Sequence, residues 1–269
     1  GRFEWTEEQF RYWGHLLRIQ RENKDAFQSF GYRPMLPTLL DKVWVNEWPI
    51  ESKTIYTVYS VRPEGFHANL FEVTPQEGTH YVDLYSHEEI EPELVDGKWY
   101  IKTRLESFDS YDLGTNNEGA VTAVAKFNKH LSTSLNDDFL TFSANAGTEI
   151  RIWVGRPSYE KTCKTYSTEQ KTVRLLEEFG RTEGKYIVQL FDKDEIIDEN
   201  IIYIVPGTPR LASTVTYTER VAKAPKGMVE IPAGTFSCDI FQTGDSFIKY
   251  PQPPVQPGES IAMERFFMD

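Results

Sequence analysis

Hydrophobic and polar positions along this chain alternate mostly with a period of two. From Glu149 to Val154 the alternation is unbroken, placing Ile150, Ile152 and Val154 on one face and Glu149, Arg151 and Trp153 on the other. That is the pattern of a strand with one face in a core. Runs rich in β-branched and aromatic residues recur at Thr54–Val61, Ala68–Val73, His80–Tyr85, Trp99–Leu105, Ala120–Phe127, Lys185–Phe191 and Ile201–Val205. Turn-forming clusters separate them, at Pro63–Gly65, Glu77–Gly78, Asp96–Gly97, Asn116–Gly119 and Asp192–Glu195. Asp96–Gly97 favours a two-residue hairpin. No helical pattern intervenes between the early runs, so antiparallel pairing is expected rather than parallel strands with crossovers. Lys171–Phe179 fits a strand or a helix and is read here as a strand.

One helix is signalled clearly. Thr6-Glu7-Glu8-Gln9 has the form of a capping box, and Phe10, Trp13, Leu16, Leu17 and Phe27 follow at helical spacing. Acidic residues in its first turn and Arg18, Arg21 and Lys24 later complement the helix dipole. Gly31 is expected to end it, and Pro34 and Pro37 mark a connector. The expected fold is therefore mainly β: two antiparallel β-sandwich domains, immunoglobulin-like in character, with one N-terminal helix. The expected segments are 1–42 (helix and connector), 43–130 (first sandwich), 131–225 (immunoglobulin-like sandwich) and 226–269.

With 39% hydrophobic, 14% aromatic and 26% charged residues, the chain has the composition of a folded, soluble segment. Its net charge of −12 argues against nucleic acid or an anionic membrane surface as partner, since both call for a basic footprint. No apolar run has the roughly 18 residues that a membrane helix needs, so no membrane insertion is expected. The opening Gly1-Arg2-Phe3-Glu4 lacks the features of a signal peptide and has the look of a tag remnant. Cys163 and Cys238 fit neither a metal knuckle nor a disulfide scaffold and are read as free thiols.

The segment Met228-Val229-Glu230-Ile231-Pro232-Ala233-Gly234-Thr235-Phe236 resembles the entry strand of a formylglycine-generating-enzyme/sulfatase-modifying-factor type domain. Ile261–Asp269 is similar to that family's next hydrophobic strand. The resemblance implies that residues 226–269 are the start of a longer domain. Catalytic cysteines of its oxidase members lie further toward the C-terminus than anything present here, so no oxidase function is implied. A second, less specific resemblance covers about residues 5–127. The helix followed by the strands at Thr54–Val61, Tyr81–Tyr85 with Glu88-Glu89-Ile90, and Trp99–Leu105 resembles the end of a multidomain glycoside hydrolase, where a barrel's last helix leads into a small β-sandwich. That resemblance implies a carbohydrate-active, exported parent protein: secreted, periplasmic or on the cell surface.

Candidate chemistry is sparse. Glu88, Glu89, Glu91 and Glu93 are numerous, but glycoside hydrolysis needs two carboxyl groups at a set separation across a cleft, and alternation along one segment reads as a solvated acidic edge. Asp192-Lys193-Asp194-Glu195 has a calcium-like spacing without the Gly and distal Glu of a loop site, so a plain turn is expected. His15, His67, His80, His87 and His130 show no zinc-helix spacing and are read as structural or surface residues. No cofactor is implied. Aromatic side chains remain, because a sugar's C–H face stacks on Trp or Tyr. Trp153, Trp99 and Trp48 are the candidate carbohydrate-binding residues, with Trp153 foremost because its strand turns it from the core face. The competing structural role for Trp153 is to cover the domain interface or the N-terminal helix. The resulting expectation is a non-catalytic accessory or spacer segment with polysaccharide and neighbouring domains of its parent as partners. A glycoside hydrolase fragment and a protein-interaction module are the alternatives.

Overall fold

The computed structural model describes residues 6–107, 119–207, 209, 221–237 and 260–268. The chain forms two compact units, Gly1–Ala212 and Ser213–Asp269. The expected turn at Asn116, the thiol of Cys238 and the proline-rich stretch 249–258 lie outside the described residues. Among those described, no helix is long and apolar enough to cross a membrane. The architecture is mainly β with antiparallel sheets and a helical N-terminus.

The first unit holds two sandwiches. In the first, strands β1 (Arg33–Leu36), β2 (Val43–Pro49), β3 (Lys53–Ser60), β5 (Thr79–Asp83), β6 (Glu88–Ile90) and β9 (Ala120–Asn128) form a sheet of order β1-β2-β3-β9-β5-β6. Strands β4 (Phe66–Val73), β7 (Glu93–Val95) and β8 (Lys98–Leu105) form the facing sheet, of order β4-β8-β7. Val45, Tyr56, Val58, Leu70, Phe71, Ile101 and Val124 pack between the two. The β7–β8 hairpin turns on Asp96 and Gly97, both at positive φ (50° and 80°), as the sequence predicts for a tight turn of this handedness. The connector expected around Pro34 and Pro37 is in part the edge strand β1.

The second sandwich packs a three-stranded sheet, β10 (Leu131–Asn136), β11 (Phe139–Ala144) and β14 (Lys171–Arg174), against four strands. Those are β12 (Glu149–Val154), β13 (Lys164–Tyr166), β15 (Gly184–Asp192) and β16 (Glu195–Ile204), in the order β13-β12-β15-β16. Seven strands divided three and four make this an immunoglobulin-like sandwich. Tyr186, fully buried near the start of β15, donates its hydroxyl to the Thr182 carbonyl at 3.1 Å, the tyrosine corner of such folds. Ile150 and Ile152 face the core, as expected. Lys171–Phe179 divides: Lys171–Arg174 is strand, and Leu175–Phe179 turns into the short helix α3. Leu175 then buries completely in the sandwich core, a tertiary contact that periodicity does not show.

Helix α1 (Glu7–Glu22) begins at the predicted capping box. Gln9 N–H donates to Thr6 Oγ1 at 3.3 Å, and Thr6 N–H donates to Gln9 Oε1 at 2.8 Å. It ends at Asn23 rather than Gly31, and α2 (Lys24–Phe27) follows. The docked face differs from the predicted aromatic stripe. Phe10 and Trp13 are 57% and 50% exposed, whereas His15, Arg18 and Ile19 are buried. The reason lies in what the helix meets. One face of the six-stranded sheet presents Ile55, Ala123, Ala125 and Phe127, and together with Phe191 and Ile196 of the second sandwich it covers Ile19 and Ala26. Around this apolar patch the surroundings are polar, and the helix matches them.

The two sandwiches and the helix are joined by buried ionic groups. Asp198 and Glu199 of β16 are fully buried. Asp198 accepts from His80 Nε2 and from the backbone N–H of His130 and Leu131, each at 2.7 Å, so one carboxylate holds a strand of the first sandwich and the interdomain link together. Glu199 accepts from His87 Nδ1 and Gln189 Nε2, both at 2.7 Å. Lys53 of β3, its side chain wholly buried, donates to Glu195 at 2.9 Å and to the Ile196 carbonyl. Burial works against a charge on His80, but Asp198 and Glu89 outweigh it and raise its pKa. For His15, burial and then the charges of His87, Arg156 and Arg18 lower the pKa to about 3.

In the second unit, β17 (Val229–Ile231) pairs with β20 (Phe266–Met268), and β18 (Gly234–Ser237) pairs with β19 (Ser260–Met263). The two segments singled out in the sequence are thus antiparallel partners, in register from Val229↔Met268 to Ser237↔Ser260.

Two outcomes are expected. Asp198→Ala leaves His80 and two backbone N–H groups without an acceptor and should destabilise the first unit by about 3–5 kcal/mol in urea unfolding, as loss of one member of a buried ionic cluster does. A base whose folded pKa lies below its unfolded value contributes stability that is present above the unfolded value and lost as pH falls. His15 should therefore cost the protein on the order of 4 kcal/mol between pH 6.5 and its folded pKa near 3. His15→Leu should flatten that part of the stability–pH curve, whereas His80, shifted upward, loses its contribution as pH rises.

Candidate functional site

The turn that joins β5 to β6 is built on one side chain. Asp83 accepts from the backbone N–H groups of Tyr85 and Ser86, each at 2.8 Å, and from the Thr122 hydroxyl at 3.1 Å. This local bonding ends β5 at Asp83, two residues short of the Tyr85 expected from hydrophobicity. Tyr85 is thereby turned against α1 and the second sandwich. Its ring lies 5.6 Å from that of Tyr12 and 4.8 Å from that of His15, and the Arg156 guanidinium sits over it at 4.8 Å. Tyr12 is itself held by its hydroxyl, which accepts from the Val121 N–H at 3.2 Å. Burial raises the Tyr85 pKa, against the pull of Arg156, so its hydroxyl stays a neutral donor and acceptor.

Tyr12, Asp83, Tyr85 and Arg156 line a cleft of about 650 Å³. Tyr12, Tyr85 and Arg156 come from the helix, the first sandwich and the second sandwich respectively, while the walls are the β6 edge and the Lys102–Glu106 part of β8. Acidic groups outnumber basic ones in the lining: Glu8, Asp83, Glu88, Glu89, Glu91 and Glu106 face Lys102, Arg104 and Arg156. Several are internally matched. Arg104 pairs with Glu106 at 3.1 Å, Lys102 with Glu93 at 3.0 Å, and Glu88 lies 3.7 Å from Lys185. Such a lining disfavours a multiply charged anion and suits a neutral, hydroxyl-rich ligand or a cationic one. The acidic edge read from the sequence is real: β6 is the terminal strand of its sheet, with Glu88 and Glu89 side chains 54% and 59% exposed. It also forms the rim of the cleft, which sequence clustering alone did not show.

The three tryptophans are dispersed and none lines this cleft. Trp153 is 6% exposed, with the Arg18 guanidinium 4.3 Å from its ring centre. Its face is covered by helix α1, the structural role weighed against sugar stacking. Trp48 stacks on Tyr32 at 4.1 Å and donates its indole N–H to Thr57 Oγ1 at 3.1 Å. Trp99 on β8 is 41% exposed. The Asp192–Glu195 segment is a two-residue hairpin turn, with Glu195 held by Lys53 and Asp194 3.8 Å from Lys24. Cys163 is a free thiol.

Sequence reasoning missed Tyr12, Tyr85 and Arg156. Tyr12 lies off the aromatic stripe, Tyr85 reads as the end of a strand, and Arg156 is a loop residue after Gly155; only the fold brings the three together. No protein-family model matches this sequence, and no curated protein matches it.

Asp83 provides a test of how the site is held. Burial raises its pKa in spite of the hydrogen bonds it accepts from Ser86, Tyr85 and Thr122. An acid shifted in this direction contributes its full stability below the unfolded pKa and loses it as pH rises through the folded value. Asp83→Asn keeps an acceptor and removes the charge, so at pH 7 it should unfold at the same urea concentration as the parent or a higher one. Asp83→Ala should lower stability by about 1–3 kcal/mol, because the Tyr85 and Ser86 N–H groups lose their acceptor.

Proposed function

We propose that this chain is a non-catalytic accessory segment of a larger, exported carbohydrate-active protein, and that its first unit is a rigid spacer carrying a glycan cleft. The observation that supports this reading is the three-part construction of the cleft. Tyr12, Tyr85 and Arg156 converge where helix and sandwiches meet, a junction crossed by the buried bonds of Asp198, Glu199 and Lys53. Domains in one chain ordinarily move relative to each other unless their interface is extensive; here buried charges cross it, so the cleft keeps its shape. Tyrosine rings offer a face to sugar C–H groups, and the rim carboxylates and Arg156 offer partners for hydroxyls. The charge balance is compatible with a neutral polysaccharide. The exposed apolar residues of the second unit, among them Val229, Phe236, Phe266 and Met268, support neighbouring domains of the parent protein as further partners.

Calorimetric titration with a panel of neutral polysaccharides, with reducing ends assayed in the same samples, tests this. Saturable binding without release of reducing ends is expected, and Tyr12→Ala should weaken it at least tenfold, a loss of about 1.4 kcal/mol. Release of reducing ends would establish a glycoside hydrolase instead. Silence in both measurements would remove the glycan from the reading and leave the spacer.

A further inference from the structure

Where α1 meets both sandwiches, a second and much smaller cavity is enclosed by His15, Arg18, Asn23, His87, Gln189 and their neighbours. Four of these are at least nine-tenths buried and carry a polar atom without a protein partner: Nε2 of His15, Nε2 of His87, Oδ1 of Asn23 and Oε1 of Gln189. Such groups are rare in folded proteins and point to a missing partner.

Three of the four atoms, those of His15, Asn23 and Gln189, are acceptors, and the rest of each side chain fixes them so. His87 gives its Nδ1–H to the buried Glu199 carboxylate, and its Nε2 is the ring nitrogen left without a protein partner. His15 is held neutral by burial, and its ring hydrogen bonds the Leu84 backbone, which leaves Nε2 unprotonated. Asn23 donates its amide to the Ile19 carbonyl at 2.8 Å, and Gln189 donates to Glu199. Reversing either amide would set oxygen against oxygen. The cavity therefore calls for a small polar partner that can donate to His15, Asn23 or Gln189 and hydrogen bond His87.

Its volume, about 10 Å³, is at the lower bound for one water molecule, which needs two to four polar partners. The two imidazole rings are 5.8 Å apart and perpendicular, at 89°. An oxygen about 2.8 Å from each Nε2 lies about 4 Å from each ring centre, and at 5.8 Å separation the rings subtend roughly a right angle there. That is close to the near-tetrahedral angle at which a water molecule holds two hydrogen-bond partners. An ion about 2.0 Å from both nitrogens would have to open its N–metal–N angle well beyond tetrahedral. No group of three His, Cys, Asp or Glu suited to a metal occurs among the described residues.

We propose that this cavity is a single-water site that ties the three bodies together. The water donates to His15, bridges to Nε2 of His87, and bonds the free amide oxygens of Asn23 and Gln189. It so links the helix (His15, with Asn23 at its cap), the first sandwich (His87) and the second (Gln189).

Oxygen-17 magnetic relaxation dispersion on the whole chain counts waters that exchange slowly. The parent should show one more such water per chain than Gln189→Met, with the fold of the variant checked by its amide spectrum. A high-resolution crystal structure of the parent should show a water within about 3.2 Å of both Nε2 atoms, and decides the matter if the variant fails to fold. An empty cavity, an unchanged count in a folded variant, or a stoichiometric metal that survives dialysis and sits at this position would overturn the proposal.

Discussion

The first unit depends on two adjacent carboxylates, Asp198 and Glu199, in the middle of β16. Neither is solvent-exposed, and between them they accept five hydrogen bonds of 2.7 Å from protein donors outside their own dipeptide. A buried carboxylate without partners would cost far more than the protein's net stability could bear. The partners are therefore obligatory, and they come from different places: His80 and His87 from the first sandwich, Gln189 from the neighbouring strand, and the backbone at His130 and Leu131 from the link between the sandwiches. Satisfying the charges thus dictates how the two sandwiches are joined. Hydrophobic contact alone is non-directional and would leave that arrangement less defined.

The helix follows from the same constraint. A surface helix normally docks through its most apolar stripe, yet α1 turns Phe10 and Trp13 outward in large part and buries His15 and Arg18. It docks on a junction that is already polar, where Arg18 can lie over Trp153 while pairing with Glu22 at 2.7 Å. Lys53 reaches toward the end of the helix at the Glu22 carbonyl, 3.4 Å away, while held by Glu195. Once α1 is fixed in this way, Tyr12 stands beside Tyr85, and the cleft is a consequence of the junction rather than a separate construction.

The same dependence explains why strands were readable and the site was not. Glu149–Val154 and the Asp96–Gly97 turn occur as expected because alternation and turn chemistry are local properties, decided within a few residues. β16 shows where local reading stops. Its apolar end at Ile201 to Ile204 was legible, but Asp198 and Glu199 look like loop residues until their histidine partners, more than a hundred positions earlier, are in place. Trp153 fails in the complementary way: alternation correctly turned it from the sandwich core, but could not say that a helix from the far end of the unit would cover it.

By itself, the sequence determined the β class, the helix start, most strand positions and the acidic edge, because each rests on the period of side chains or on a cap or turn a few residues long. Only the tertiary structure decided which face of the helix docks, how the sandwiches join and which residues form the cleft. Those outcomes depend on pairing buried charges and rings from distant parts of the chain, and the free energy of such a pairing is not a property of either partner's local sequence.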